Sequence, residues 1–163
     1  MAILNIVKEG DPILRKKSRP VTEITPRIRQ LVEDMAETLI DANGAGLAAP
    51  QVGILRRIVL VDTGDEILTL INPEIIAAEG EQEEMEGCLS VPDVWGITHR
   101  PAKVTVRAMN LAGEIIEVTG EGLTARCFCH ELDHLDGVLY IDNAVHILTP
   151  EETEEMLKER EEN

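Results

Sequence analysis

Aromatic side chains are nearly missing from this sequence: Phe, Tyr and Trp occur once each, 2% of 163 residues. The core must therefore rest on Ile, Leu, Val, Ala and Met. Positive charge is scarce as well, with 15 Lys and Arg against 31 Asp and Glu, a formal net charge of −16. Such a chain repels the phosphate backbone, which argues against a protein that wraps nucleic acid, though not against a local basic patch. Nothing approaches the ~18 consecutive apolar residues of a membrane span. Lys8, Glu9 and Asp11 interrupt any secretory core in MAILNIVKEGDPILRKKSRP. Cysteine occurs three times, at positions 88, 127 and 129. An odd, small number with no export signal predicts a reducing, cytoplasmic setting with free thiols or a metal ligand. Internal repeats and Gly/Ser linkers are also lacking, and the length fits one domain over residues 1–163.

With 44% hydrophobic and 28% charged residues, the sequence reads as an ordinary globular protein. Thr25-Pro26 is a cap followed by proline at the first helical position. Ile28, Leu31, Val32, Met35 and Leu39 then recur at helical spacing, until DANG (41–44) stops the helix. RIVLVD (57–62) and ILTLIN (67–72) are short apolar runs separated by a turn, and predict a hairpin. KVTVRAM (103–109) and EIIEV (114–118) predict a second one, with Val104, Val106 and Ala108 on one face. A second helix is expected from about Leu123 to Leu135, between Gly122 and a C-terminal Gly137. VLYI (138–141) reads as a short strand, and Thr149-Pro150 opens a final helix. VPDVWGITHR (91–100) reads as a loop. Strands in the middle with helices packed on them predict an α+β fold of antiparallel strands around a central helix.

That central helix carries HELDH, His130 to His134. Histidines at i and i+4 lie on one helix face, so both imidazoles can reach one metal ion. Glu131 is placed to take a proton from an activated water. A polar helix with two solvated histidines is the bland alternative, and CFCHELDHLDG is too apolar for it. A catalytic metal usually takes a third protein ligand. The residues after His134, LDGVLYIDN, offer no third histidine, and a glutamate from the tail at Glu151 onward is unconvincing. A thiolate is the better candidate. Cys88 sits in EGCLS between Gly87 and a loop signal at Pro92. Cys127 shares a face with His130 and could compete, although a buried apolar thiol is its favoured reading. Cys129 points about 100° away from His130 and reads as packing.

GAGLAAPQ (44–51) contains G-x-G-x-x-A, one form of a dinucleotide-binding fingerprint. That motif needs a strand before it and a helix after it. Here a helix precedes it and Pro50 follows closely, so the cofactor reading is poor. Two others stand: a tight connection, or a place where glycines let backbone approach a ligand while Gln51 offers its amide.

GAGLAAPQ, EGCLS and HELDH, in this order, resemble the three motifs of bacterial peptide deformylases, over most of the chain. The resemblance implies that Cys88, His130 and His134 bind a divalent metal, ferrous iron in many members, with zinc, nickel or cobalt as replacements. It implies Glu131 as general base, with the Gln51 side chain and the Leu89 N–H stabilising an oxyanion. It implies backbone pairing with a substrate peptide near Ala45, Gly46 and Gly87, and Glu86 and Arg100 beside the substrate. The substrate would be the N-formyl-methionine end of new polypeptides. Arg126 stands where some members place an aliphatic residue near the methionine pocket, and Cys129 where many place glutamine. Trp95 reads as a half-buried packing residue, and His99 and His146 as surface residues. The C-terminal helix, with seven Glu against Lys158 and Arg160, is expected not to dock on ribosomal RNA, although some members use a basic tail for that. The rival readings are a zincin-like metallopeptidase and a non-catalytic metal or redox module. Both leave part of the Glu131–Gln51–Cys88 set without a purpose.

Overall fold

The computed structural model describes residues 2–162. Two antiparallel sheets flank one central helix. The larger sheet has the order β1-β2-β3-β6-β7, from β1 (Gly46–Ala48), β2 (Ile58–Asp62), β3 (Ile67–Glu79), β6 (Lys103–Met109) and β7 (Ile115–Glu121). The smaller has the order β4-β5-β8, from β4 (Gln82–Cys88), β5 (Val91–Arg100) and β8 (His146–Ile147). Helix α1 spans Pro26–Ala42, α2 Leu123–Leu135, α3 Tyr140–Asn143 and α4 Pro150–Glu162.

The apolar runs show how the layers assemble. In β2, Ile58, Val59, Leu60 and Val61 are all fully buried, so both faces of this strand are covered. Val59 and Val61 pack with Val104, Val106, Ala108 and the α2 residues Ala125, Phe128, Leu132 and Leu135. Ile58 and Leu60 point the other way and pack with Val32, Met35 and Leu39 of α1. Alternate residues of one strand thus serve two cores, each fully buried aliphatic stabilising by roughly 1.5–3 kcal/mol. The capping rules place α1: the Thr25 hydroxyl accepts from the Ile28 N–H at 3.2 Å, and Asn43 ends the helix in the left-handed region at φ 54°. Gly122 precedes α2 at φ 56°, and Gly137 follows it at φ 77° with its α-carbon against the Arg15 carbonyl.

Three local expectations need correction. VLYI is not a strand: the Asp142 carboxylate accepts from the Leu139 N–H at 3.0 Å and starts the single turn of α3. Residues 91–100 are not a loop but strand β5 of the β4–β5 hairpin, with Gln82 opposite Arg100 and Met85 opposite Ile97. Pro92 is accommodated at the start of β5, ahead of its pairing with β8. β3 runs on past Asn72, because a register shift between Ile71 and Glu74 carries the chain past Pro73.

Candidate active site

The cleft between the two sheets is lined by Gly44–Gly46 and Gln51 on one side, Met85–Leu89 on the other, and α2 along its floor. The first edge comes from β1, an edge strand of the larger sheet; the second from β4, an edge strand of the smaller. Its volume is about 370 Å³.

Helix α2 brings His130 and His134 to one face, 7% and 1% exposed, and the end of β4 brings Cys88 across to them. One donor atom from each of the three lies within 4.8 Å of the others. Cys88 Sγ is 3.4 Å from His134 Nε2. These three are the metal-capable group of this kind among the described residues, and the described acids of α4 take no part in it. Burial alone pushes the His130 pKa down, but Glu131, Cys88 and Glu86 outweigh it and raise it well above the imidazole range. His134 is pushed well below that range by burial, with His130 adding to the effect. Burial thus weighs against charge on both rings, and the surrounding anionic groups outweigh it only at His130. Cys127 lines the cleft, but burial, with Glu131 adding, pushes its thiol up to about 12. Its sulfur is not among the donor atoms that cluster with the two imidazoles, where Cys88 stands instead. Cys129 is 7% exposed and packs in the core.

Glu131 is 3% exposed, and its Oε1 is buried without a hydrogen-bond partner among the described residues. An orphaned carboxylate oxygen at the floor of a cleft, beside a cationic position, is a group waiting for a ligand or a water. Burial pushes its pKa up to about 7, with His130 and Arg100 opposing and Glu86 and Asp133 adding. Gly46 explains part of the first motif. A Cβ at this position would stand 2.5 Å from Glu131 Oε2. Its neighbour Gly44 would meet Leu89 Cδ1 at 2.9 Å. Neither glycine has a positive φ, so the requirement is close approach rather than backbone freedom. Gln51 is 1% exposed and fixed at both ends of its amide: Oε1 accepts from the Ala48 N–H at 2.9 Å, and Nε2 donates to Ser90 Oγ at 3.0 Å. The same Nε2 lies 3.5 Å from Cys88 Sγ, so it faces the centre.

Glu86 and Arg100 differ from expectation. Glu86 lines the cleft, but its carboxylate is engaged inward: His130 Nδ1 at 2.6 Å, Thr98 Oγ1 at 2.5 Å and Arg100 Nη2 at 2.9 Å. Burial raises its pKa, yet His130 and Arg100 overcome this and bring it down to about 2. Arg100 is 7% exposed, lies outside the cleft lining and forks between Glu86 and Asp133, whose Oδ2 is 2.8 Å from its Nη1. Three of its five N–H groups are thus committed to these two carboxylates, away from the cleft lining. The pair orients the His130 ring, as the outer partners of ligating histidines do. This chain of contacts was not legible in the sequence, because it joins β4, β5 and α2 through buried charges that look solvated in one dimension. Nor did the sequence show that the N-terminal segment straps the site. The Val7 N–H donates to the Gln51 carbonyl at 2.7 Å, and the Glu9 N–H to the Ser90 carbonyl at 2.7 Å.

Trp95 lines the cleft half-buried, packed so tightly on Gly87 that a Cβ there would lie 2.7 Å from its ring. His99 and His146 sit at the surface beside Glu83 and Glu152.

A dense ligand group with an uncommitted acid beside it, on an antiparallel α+β scaffold, is the arrangement of a metal-dependent hydrolase. Comparison with known proteins narrows this class. The family model for polypeptide deformylase matches residues 3–149. A peptide deformylase of Caldanaerobacter subterraneus subsp. tengcongensis is 55% identical over 154 residues, 94% of this chain and 97% of that one. The crystal structure of peptide deformylase from Thermotoga maritima superposes with a TM-score of 0.86 at 41% identity, covering 88% of this chain and 99% of that one. A Met-Ala-Ser-bound class I type b peptide deformylase from Acinetobacter baumannii gives 0.82 at 34% identity, covering 87% and 98%. The chain belongs to the polypeptide deformylase family. It is a hydrolase that removes the formyl group from nascent polypeptides, and the family is metal-dependent. The zincin and binding-module readings are not favoured.

Proposed function

We propose that this chain hydrolyses the formamide of N-formyl-methionyl peptides in the cleft between β1 and β4, with the roles divided as follows. The observation that carries the proposal is the orphaned, buried Glu131 carboxylate beside the Cys88–His130–His134 group. Cys88, His130 and His134 would hold one divalent ion, ferrous iron by preference, with zinc, nickel or cobalt as replacements; one thiolate and two imidazoles suit all four. The ion supplies Lewis-acid activation of water and of the formyl oxygen. Glu131 accepts the proton of the attacking water and delivers it to the leaving amine. A carboxyl held near 7 can do both at neutral pH. Gln51 Nε2 and the Leu89 N–H donate to the oxyanion that develops on the formyl oxygen. Losing one such donor typically costs ~3 kcal/mol of transition-state stabilisation.

The peptide lies in the cleft as an added strand, pairing with backbone at Ala45 and Gly46 on one side and at Gly87 on the other. The Acinetobacter baumannii relative, bound to Met-Ala-Ser, supports this reading. Glu86 and Arg100 act through His130 rather than on the peptide. The substrates are nascent chains in the cytoplasm; no helix among the described residues is long and apolar enough to cross a membrane. The acidic α4 does not dock on ribosomal RNA.

Turnover of formyl-Met-Ala-Ser by anaerobically prepared enzyme, with Glu131→Ala in parallel, tests the assignment. The variant should keep its metal and lose at least ~10²-fold in kcat. Full activity in that variant would remove Glu131 from its role.

A further inference from the structure

Arg126 lies near the start of α2 and lines the same cleft as Cys88, His130 and Glu131. It is 8% exposed. The arginines in ion pairs are Arg15, Arg57, Arg100 and Arg107; Arg126 has no carboxylate partner among the described residues. The one side-chain hydrogen bond it makes to them runs from Nη1 to Gln82 Oε1 at 3.0 Å. Gln82 is itself fixed, its Nε2 donating to the carbonyls of Pro101 at 2.9 Å and Gly122 at 3.0 Å. A neutral amide therefore pins one corner of the guanidinium and leaves most of its five donors unused. None of its nitrogens is both sealed and unpartnered, so the unused donors are accessible, on a residue that lines the cleft.

Leu123, Cys127, Met85 and Trp95 also line this cleft, a set suited to an apolar side chain. Arg126 and His130 are four residues apart on one helix face, ~6 Å along the axis. A peptide whose formyl carbon lies at His130 can send its first side chain over that distance. A thioether makes little use of a guanidinium there, because its sulfur is a weak acceptor. A side chain of the same length ending in a strong acceptor makes full use of it.

We propose that Arg126 is a specificity-determining residue that extends the cleft to N-formyl peptides whose first methionine is oxidised to the sulfoxide, its free N–H groups donating to the sulfoxide oxygen. This rests on the deformylase reading above. Oxidation turns a flexible apolar side chain into a polar, chiral one. A wholly apolar wall would leave that oxygen buried and unpaired, whereas Arg126 pairs it. Because the donors come from one side, the two sulfoxide epimers are told apart.

The test compares kcat/KM for formyl-Met-Ala-Ser and for each sulfoxide epimer of it, in the wild type and in Arg126→Met and Arg126→Lys. The ratio of oxidised to unoxidised substrate is taken within each protein, so general damage cancels. In the wild type, the better epimer should stay within about tenfold of the unoxidised peptide. In Arg126→Met the gap should widen by roughly a further tenfold, the worth of one hydrogen bond, and the epimer preference should shrink. Arg126→Lys should fall between. Equal ratios in wild type and Arg126→Met overturn the proposal, as does a wild type that rejects both epimers by more than about a hundredfold. Absence of turnover on formyl-Met-Ala-Ser itself would instead sink the deformylase reading. Calorimetric affinities for Met-Ala-Ser and its sulfoxides, in wild type and Arg126→Met, then decide the role of Arg126 by the same ratio.

Discussion

Gly46 shows how a single missing methyl group supports the chemistry. The position a Cβ would take is 2.5 Å from Glu131 Oε2, far inside contact distance, so something must shift, and the group it meets is the end of the Glu131 side chain. Gly46→Ala should therefore leave the fold and the metal group in place and push the Glu131 carboxyl aside. A displacement of about 1 Å of a reacting group can cost ~10² in rate, so kcat/KM should drop about that far while metal content and melting temperature stay near those of the wild type. A variant with wild-type kcat/KM would show that the acid tolerates the move. The first motif was legible in the sequence as a place of close approach, since G-x-G lacked the strand–turn–helix setting of a phosphate loop. What approaches was not legible. The partner is a side chain 85 residues on, and only the packing of β1 on α2 brings the two together.

Elements differ in how openly the sequence declares them. α1 and α2 carry caps, helical spacing and glycine or asparagine stops, and the two flanking hairpins carry clear apolar runs, so each stands close to where it was expected. The β4–β5 hairpin was hidden because its inward positions include Glu86, Thr98 and Arg100. Buried charge looks like solvated charge until its partners are known. Replacing one member leaves the others unpaired in the interior, which typically costs 3–5 kcal/mol, so such a network ties strand to helix even where it adds little net stability. The N-terminal strap was hidden for another reason. Residues 2–9 have no regular structure, yet their backbone holds Gln51 and Ser90, one from each side of the cleft. Deleting residues 1–9 should speed amide exchange in 46–53 and 86–92 and lower kcat/KM several-fold, with the β6–β7 hairpin unchanged. Unaltered exchange in both loops would show that the strap carries no load.

At the scale of the whole molecule, charge is distributed unevenly. α4 is exposed along most of its described length and is acidic from its first turn, with Glu152 closing a small cluster with His146 and Thr149. The family match ends at residue 149, where this helix is about to begin. A chain ending at Thr149 should keep its metal and its kcat/KM within about twofold, because no core residue among the described ones lies beyond that point. Its melting temperature should fall by only a few degrees, as expected when a peripheral helix with little buried surface is lost. A collapse of activity on truncation would place α4 in the working part of the enzyme.

The two sheets meet the cleft with unpaired edges, β1 on one side and β4 on the other. A gap one strand wide admits a chain only while that chain is extended and its backbone groups are free. Once the first residues of a new polypeptide are drawn into a helix or a sheet of their own, they no longer fit. The architecture therefore sets a deadline. Deformylation has to outrun the folding of the very protein it processes, and sequences whose N-termini fold fastest are those on which this enzyme will most often arrive too late.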